Sequence, residues 1–268
     1  MVELFEQNIR TNNRQSSKGN QLKWENSGIW YKADYTGYEG LTEYVISHLL
    51  KKSTLSKEEY VLYDLEEMKY NTVVYKGVRS RDFLMGDWQL ITLERLFQNF
   101  FGESLQKSIY RIENHEERLR FLVSQAERIT GLKDFGKYMN KLLTIDAFFL
   151  NEDRHTHNIA VLMNGVGEFK YCPIFDNGAG LLADTTMDYP LRGDTERMMQ
   201  MVQAKTIGPD FEEQLDISEK LYGCNLKFSF TKEDVTSLLN KAGIYTGEER
   251  GRVEEILYLQ MRKYRYLF

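Results

Sequence analysis

Apolar positions along the chain fall into short blocks, and their spacing predicts a β-rich first third followed by a mainly helical remainder. Residues 28–34 (GIWYKAD) form a β-prone run of apolar and aromatic side chains, with the glycines at 37 and 40 turning the chain behind it. Leu41, Tyr44, Val45, His48 and Leu49 then keep the i, i+3, i+4, i+7, i+8 spacing of a helix over residues 41–52. Residues 60–65 and 72–78 read as strands, and 80–84 as a third. Gly86-Asp87 interrupts the pattern and is the candidate linker between two lobes.

Helical register dominates from there. Thr92 is the expected N-cap of a helix over 93–101, with Leu93, Leu96, Phe97 and Phe100 on one side. Residues 115–129 carry Leu119, Leu122, Val123 and Ala126 in register, and Asp134 is the expected cap of a helix running to residue 150. Asp146 lies on the apolar stripe of that last helix. A carboxylate there is costly unless hydrogen-bonded, so the following loop is expected to satisfy it. Residues 159–163 and 169–175 read as strands joined by the turn NGVGE. After Asp176 a glycine-rich, irregular segment runs to about residue 194, and two or three helices follow, including 235–242 and 248–264. The fold class expected is α+β: a small β-rich N-lobe over 1–86 and a larger, mainly helical C-lobe over 87–268.

Composition narrows the setting. At 268 residues, 42% hydrophobic and 28% charged, the chain has the makings of an ordinary globular protein of one large domain or two lobes. A net charge of −5 argues against a protein that coats nucleic acid, and no such partner is expected. Cys172 and Cys224 form neither a metal-ligand spacing nor a disulfide framework, which points to a reducing compartment. The start MVELFEQNIRTNN lacks the regions of a signal peptide, and no apolar run approaches the roughly 20 residues of a membrane span. The expected location is cytoplasmic, and a signal-less export route is compatible with the same sequence.

The chemistry concentrates at residues 151–158, NEDRHTHN, and at Asp176 in IFDNG. Phosphoryl transfer needs a carboxylate to orient or deprotonate the incoming hydroxyl, and oxygen ligands to hold Mg²⁺ against nucleotide phosphates. Asp153, Asn158 and then Asp176 beyond a pair of strands supply those groups in that order. Singly, each has an ordinary reading as a turn, capping or strand-entry residue. Jointly they carry more, because the hairpin between Asn158 and Asp176 is expected to return the chain so that both reach one Mg²⁺. A cation for the phosphates is Lys32, in the aromatic run IWYKAD, with Glu43 of the next helix as its expected partner. The ordinary alternative for each is a solvent-facing charge.

Asn151-x-Asp153-x-His155-x-x-Asn158, with Asp176-Asn177-Gly178 after a hairpin, resembles the HipA-like serine/threonine kinase family. DRHxxN is also similar to the phosphatidylinositol 3- and 4-kinases, and both groups share a protein-kinase-like fold. WYKADYTGYEGLTEYVISHLL matches around the lysine and its glutamate, SRDFL and LITLERL match around the linker, and SSKGNQLKW resembles the phosphate loop. The resemblance covers about residues 16–176. It implies an ATP- and Mg²⁺-dependent kinase with Asp153 as catalytic base or hydroxyl-orienting acid and Asn158 and Asp176 as metal ligands. Lys32 would contact ATP phosphates with Glu43 as its ion-pair partner, and Gly19 would offer backbone N–H to the phosphates. His155 is then a scaffold for its loop, His157 a surface residue, and Asp146 a support behind the catalytic loop. About fifteen residues precede the phosphate loop, fewer than in full-length HipA-type toxins, which fits a short stand-alone relative such as the secreted pro-inflammatory kinase type. Family members phosphorylate a serine of their own phosphate loop, and Ser16 and Ser17 are positioned for that. A phosphoinositide-type lipid kinase is one alternative, weakened by the acidic net charge. A nucleotide-binding pseudokinase acting as an interaction module is another, although every catalytic position is filled.

Overall fold

The computed structural model describes residues 1–9 and 21–268. In chain order the elements begin β1 Val2–Glu3, β2 Lys23–Asn26, β3 Ile29–Ala33, α1 Glu39–Leu50, β4 Asp64–Tyr70, β5 Val73–Arg81 and β6 Gln89–Thr92. They continue α2 Leu93–Phe101, α3 Leu105–Tyr110, α4 His115–Thr130, α5 Phe135–Phe149, β7 Ala160–Met163 and β8 Phe169–Tyr171. The last are α6 Thr195–Met201, α7 Phe211–Tyr222, α8 Lys232–Asn240 and α9 Gly247–Lys263. These elements separate into two units with interleaved segments. The first takes Met1–Phe83, Phe175–Val202 and Phe228–Phe268, and the second takes Leu84–Ile174 and Gln203–Lys227.

The first unit is built on a five-stranded sheet in the order β1-β4-β5-β3-β2, antiparallel except for the β1–β4 pair. Two of its connections are two-residue turns with both residues at positive φ, Ser27-Gly28 and Asn71-Thr72. That backbone matches the right-handed twist of the paired strands and fixes their register. It also moves the first of these strands: β4 lies later than the expected 60–65, whereas β5 covers the expected 72–78 apart from Thr72, which is in the turn, and runs on into the first two residues of the expected third strand. Successive side chains of β3 point to opposite faces. Tyr31 and Ala33 join Leu4, Trp24 and Met68 in a buried cluster, which leaves Lys32 on the other face. There α1 approaches β5 so closely that a Cβ on Gly40 would lie 2.7 Å from the Gly77 Cα. Glycine at position 40 is what lets the helix carrying Glu43 lie against the strand next to Lys32, while Gly77 makes room for the Lys32 carbonyl, which a Cβ there would meet at 2.0 Å.

In the second unit β6, β7 and β8 form an antiparallel sheet, and α5 packs along α7. Thr92 caps α2 as expected, its hydroxyl accepting the Arg95 N–H at 3.2 Å. Asp134 does not cap α5. It sits at φ 64° with no capping bond from its side chain, and Glu127 of α4 accepts the Phe135 N–H at 2.9 Å instead. The segment from Asp176 to Asp194 holds no helix or strand, as expected, whereas α3, α6, α7, β2 and β6 are additions to the sequence reading. No helix among the described residues is long and apolar enough to cross a membrane.

Candidate active site

In the first unit the chemistry centres on Lys32. Its ammonium donates to Glu43 Oε1 at 2.8 Å, to Asp176 Oδ1 at 2.8 Å and to the Tyr63 hydroxyl at 3.3 Å. Glu43 is buried on α1, and its second oxygen accepts the Asn177 N–H at 3.1 Å. One carboxylate thereby ties the strand lysine to the backbone that follows Asp176. Burial works against the Lys32 charge, but Asp176 and Glu43 outweigh it and hold its pKa well above the ordinary lysine range. Lys32 is therefore a permanent cation. Asp176 has φ 59°, in the left-handed region that non-glycine residues seldom occupy, and its side chain keeps 25% exposure beside the lysine.

The chain after Asp176 is held against the start of α1. Tyr38 donates its N–H to Ala183 O at 3.1 Å and its hydroxyl to Leu181 O at 2.7 Å. A Cβ on Gly37 would sit 1.9 Å from the Ala183 oxygen, so only glycine allows this approach. Just ahead of α1, the partly buried Asp34 accepts the Gly40 N–H at 2.6 Å and the Tyr245 hydroxyl at 2.8 Å. Glu39, Glu249 and Lys76 surround this group, Lys76 lying 3.8 Å from Glu249 and over the Tyr245 ring. Burial, reinforced by Glu39, pushes the Asp34 carboxyl up to about 8 from an ordinary 3.8. Between those values the folded chain holds a proton that the unfolded chain has released, so its stability falls as pH rises through that window. Denaturant titrations at pH 5, 6, 7 and 8 should show the parent losing up to about 1.4 kcal/mol per pH unit relative to Asp34→Asn. Parallel pH profiles for the two proteins would refute the assignment.

In the second unit α5 ends at Phe149, and its C-cap Leu150 takes φ 55° and turns the chain into the catalytic-loop candidate. Asp146 lies on the last turn of the helix, fully buried. It accepts the Asn151 Nδ2 at 2.8 Å and the Arg154 guanidinium at 3.1 Å, so the following loop does satisfy it. Burial still pushes its carboxyl above the usual range, against the pull of Arg154. Arg154 also donates to Asn158 O at 3.0 Å, and Thr156 donates to Glu94 of α2 at 2.7 Å. Within this framework Asn158 Nδ2 donates to both the Asp153 carbonyl at 2.8 Å and Asp153 Oδ2 at 3.0 Å. The amide nitrogen is thus committed to Asp153, and the amide oxygen takes no part in these bonds. His155 Nε2 lies 3.7 Å from Asp153 Oδ1, and burial lowers its pKa, leaving a neutral ring near pH 7. His157 is exposed.

Of the residues singled out in the sequence, the first unit brings Lys32, Glu43 and Asp176 together, and the second brings Asp153 and Asn158 together. Gly19, Ser16 and Ser17 lie outside the described residues. Tyr63, Arg154 and Lys205 escaped the sequence reading. Arg154 stands inside DRHTHN and could have been paired with Asp146 eight residues earlier. Tyr63 and Lys205 sit in stretches without a motif.

No family model matches the chain, and no curated protein does. Among solved structures, a Helicobacter pylori proinflammatory kinase, CtkA, matches with a TM-score of 0.60 and 16% identity, over 91% of this chain and 90% of that one. The likeness shows the fold, an α+β fold of protein-kinase-like type.

Proposed function

We propose that this protein is an ATP- and Mg²⁺-dependent phosphotransferase, a serine/threonine protein kinase of HipA-like type. One observation carries the reading: a partly buried lysine held at 2.8 Å by a helix glutamate and by the aspartate of the IFDNG loop. A lysine fixed this way is a point charge for nucleotide phosphates. The likeness in fold to a kinase supports the same reading. In the transfer itself, the oxygen of an acceptor hydroxyl bonds to the γ-phosphorus as the bond to the bridging oxygen of ADP breaks. Asp153 orients that hydroxyl and takes its proton, and ADP leaves with the electron pair.

Asn158 and Asp176 are the residues assigned to Mg²⁺. Their donors are hard oxygens, and nucleotide-bound Mg²⁺ uses one or two carboxylates with substrate phosphates rather than an all-protein cage. When bound, Mg²⁺ supplies charge neutralisation on the phosphates. Glu43 keeps Lys32 aimed, and Gly19 is assigned a backbone contact to phosphate. In this reading the lobe boundary lies near Gly86-Asp87.

Incubation with radiolabelled ATP and Mg²⁺, in the presence of cell protein and of phosphoinositide vesicles, tests the reading. Label should enter protein, including this chain at Ser16 or Ser17, seen by intact mass as added phosphate. Label confined to lipid would overturn the protein-kinase reading, and no transfer to any acceptor would overturn the phosphotransferase.

A further inference from the structure

Lys205 belongs to the segment between α6 and α7, far in sequence from residues 151–158, yet its ammonium lies 3.8 Å from Asp153 Oδ1. This exceeds hydrogen-bonding distance, and the lysine side chain keeps 46% exposure while that of Asp153 keeps 10%. The cation therefore stands at the mouth of the carboxylate without being consumed by it. The backbone beneath is held on every side. Tyr110 donates its hydroxyl to Lys205 O at 3.2 Å, and the buried Thr206 donates to Arg154 O at 2.6 Å. Arg118 donates to Ile207 O at 2.7 Å, and Gln214 accepts the Ile207 N–H at 2.8 Å. Four side chains from α3, α4, α7 and this segment thus fix the stem from which one flexible ammonium reaches the loop of Asp153. A lysine needing only solvent has no call on such an anchor.

Resting on the kinase reading above, we propose that Lys205 is a catalytic residue. Its ammonium would contact the oxygens of the phosphoryl group as it passes to the hydroxyl held by Asp153, and offset the charge gathered there. Preorganised charge aimed at a transferring group acts on the transition state more than on the bound substrate.

ADP–Mg²⁺ with aluminium fluoride, a mimic of the phosphoryl group in transfer, separates this role from a surface ion pair. Calorimetric titrations would compare the parent with Lys205→Ala, Lys205→Met and Lys205→Arg. Lys205→Ala and Lys205→Met should bind ADP–Mg²⁺ as the parent does, bind the aluminium fluoride complex about 10²-fold more weakly, and lose kcat by a similar factor. Lys205→Arg should recover most of both. The methionine variant keeps the apolar stem and guards against a loss of folding, which melting curves would reveal. Equal affinity of parent and both neutral variants for the aluminium fluoride complex would overturn the role of Lys205, even with transfer intact in the parent and lost in Asp153→Asn. A parent that binds no ADP–Mg²⁺ would instead overturn the kinase reading, and this proposal with it.

Discussion

Asp153→Asn is expected to slow γ-phosphoryl transfer by about 10²–10⁴-fold while ATP–Mg²⁺ binds as tightly as to the parent. The substitution is nearly isosteric, and the loop around it is held by bonds that survive the change. Asn158 Nδ2 still finds the residue-153 carbonyl at 2.8 Å, and the Asn151 side chain still accepts the residue-153 N–H at 3.4 Å. The variant lacks a carboxylate to take the hydroxyl proton, which the amide oxygen does poorly. Lys32, Glu43 and Asp176 are untouched, so the lysine assigned to the phosphates, its partner and a carboxylate assigned to Mg²⁺ remain. Single-turnover transfer alongside equilibrium ATP binding checks the split. A variant that transfers at the parental rate would remove Asp153 from the mechanism. A variant that loses binding and transfer together would make it a structural residue.

Which parts of this arrangement were legible in the sequence follows from the range of the interactions. Lys32 and Glu43 lie eleven residues apart, one on a strand and one on the next helix, and strand-then-helix periodicity is enough to suggest their pairing. The Lys32–Asp176 contact spans 144 residues, and no local pattern announces it. Asp146 was visible as a misfit on an apolar stripe, so a partner was expected, but its identity as Arg154 needed the left-handed turn at Leu150. Turn chemistry explains the shifted strands: Asn71-Thr72 forms a hairpin that propensity alone reads as the start of a strand. Asp134 shows the reverse case. It has the right residue type for a cap, yet Glu127 from the preceding helix takes the amide. Lys205 was the least legible, because its significance lies wholly in a tertiary anchor built from Tyr110, Arg118, Thr206 and Gln214.

The largest loss of stability is expected from cutting the Asp146–Arg154 pair on one side only. Both groups are 1% exposed, and Asp146 accepts the guanidinium nitrogens at 3.1–3.2 Å. Asp146→Ala leaves a buried guanidinium without its carboxylate, a change that costs about 3–5 kcal/mol. For a chain of this size that lowers the melting temperature by on the order of 10 °C. Arg154→Met leaves the opposite charge, and here pH gives a second reading. The stranded carboxyl has lost the group that opposed the upward push of burial, so its folded-state pKa rises further above the unfolded value. Stability is then retained at low pH and lost as pH rises, making Arg154→Met more damaging at pH 8 than at pH 5. Asp146→Ala combined with Arg154→Met removes both charges and should recover part of the loss. Recovery stays partial because the Asn151 Nδ2 and the Asn158 carbonyl both lose a partner. Melting curves of the four proteins at the two pH values decide the matter. Additive losses in the double variant would mean that the two residues act independently, and an Asp146→Ala protein melting within about a degree of the parent would mean that the pair does not hold the loop that carries Asp153 and Asn158.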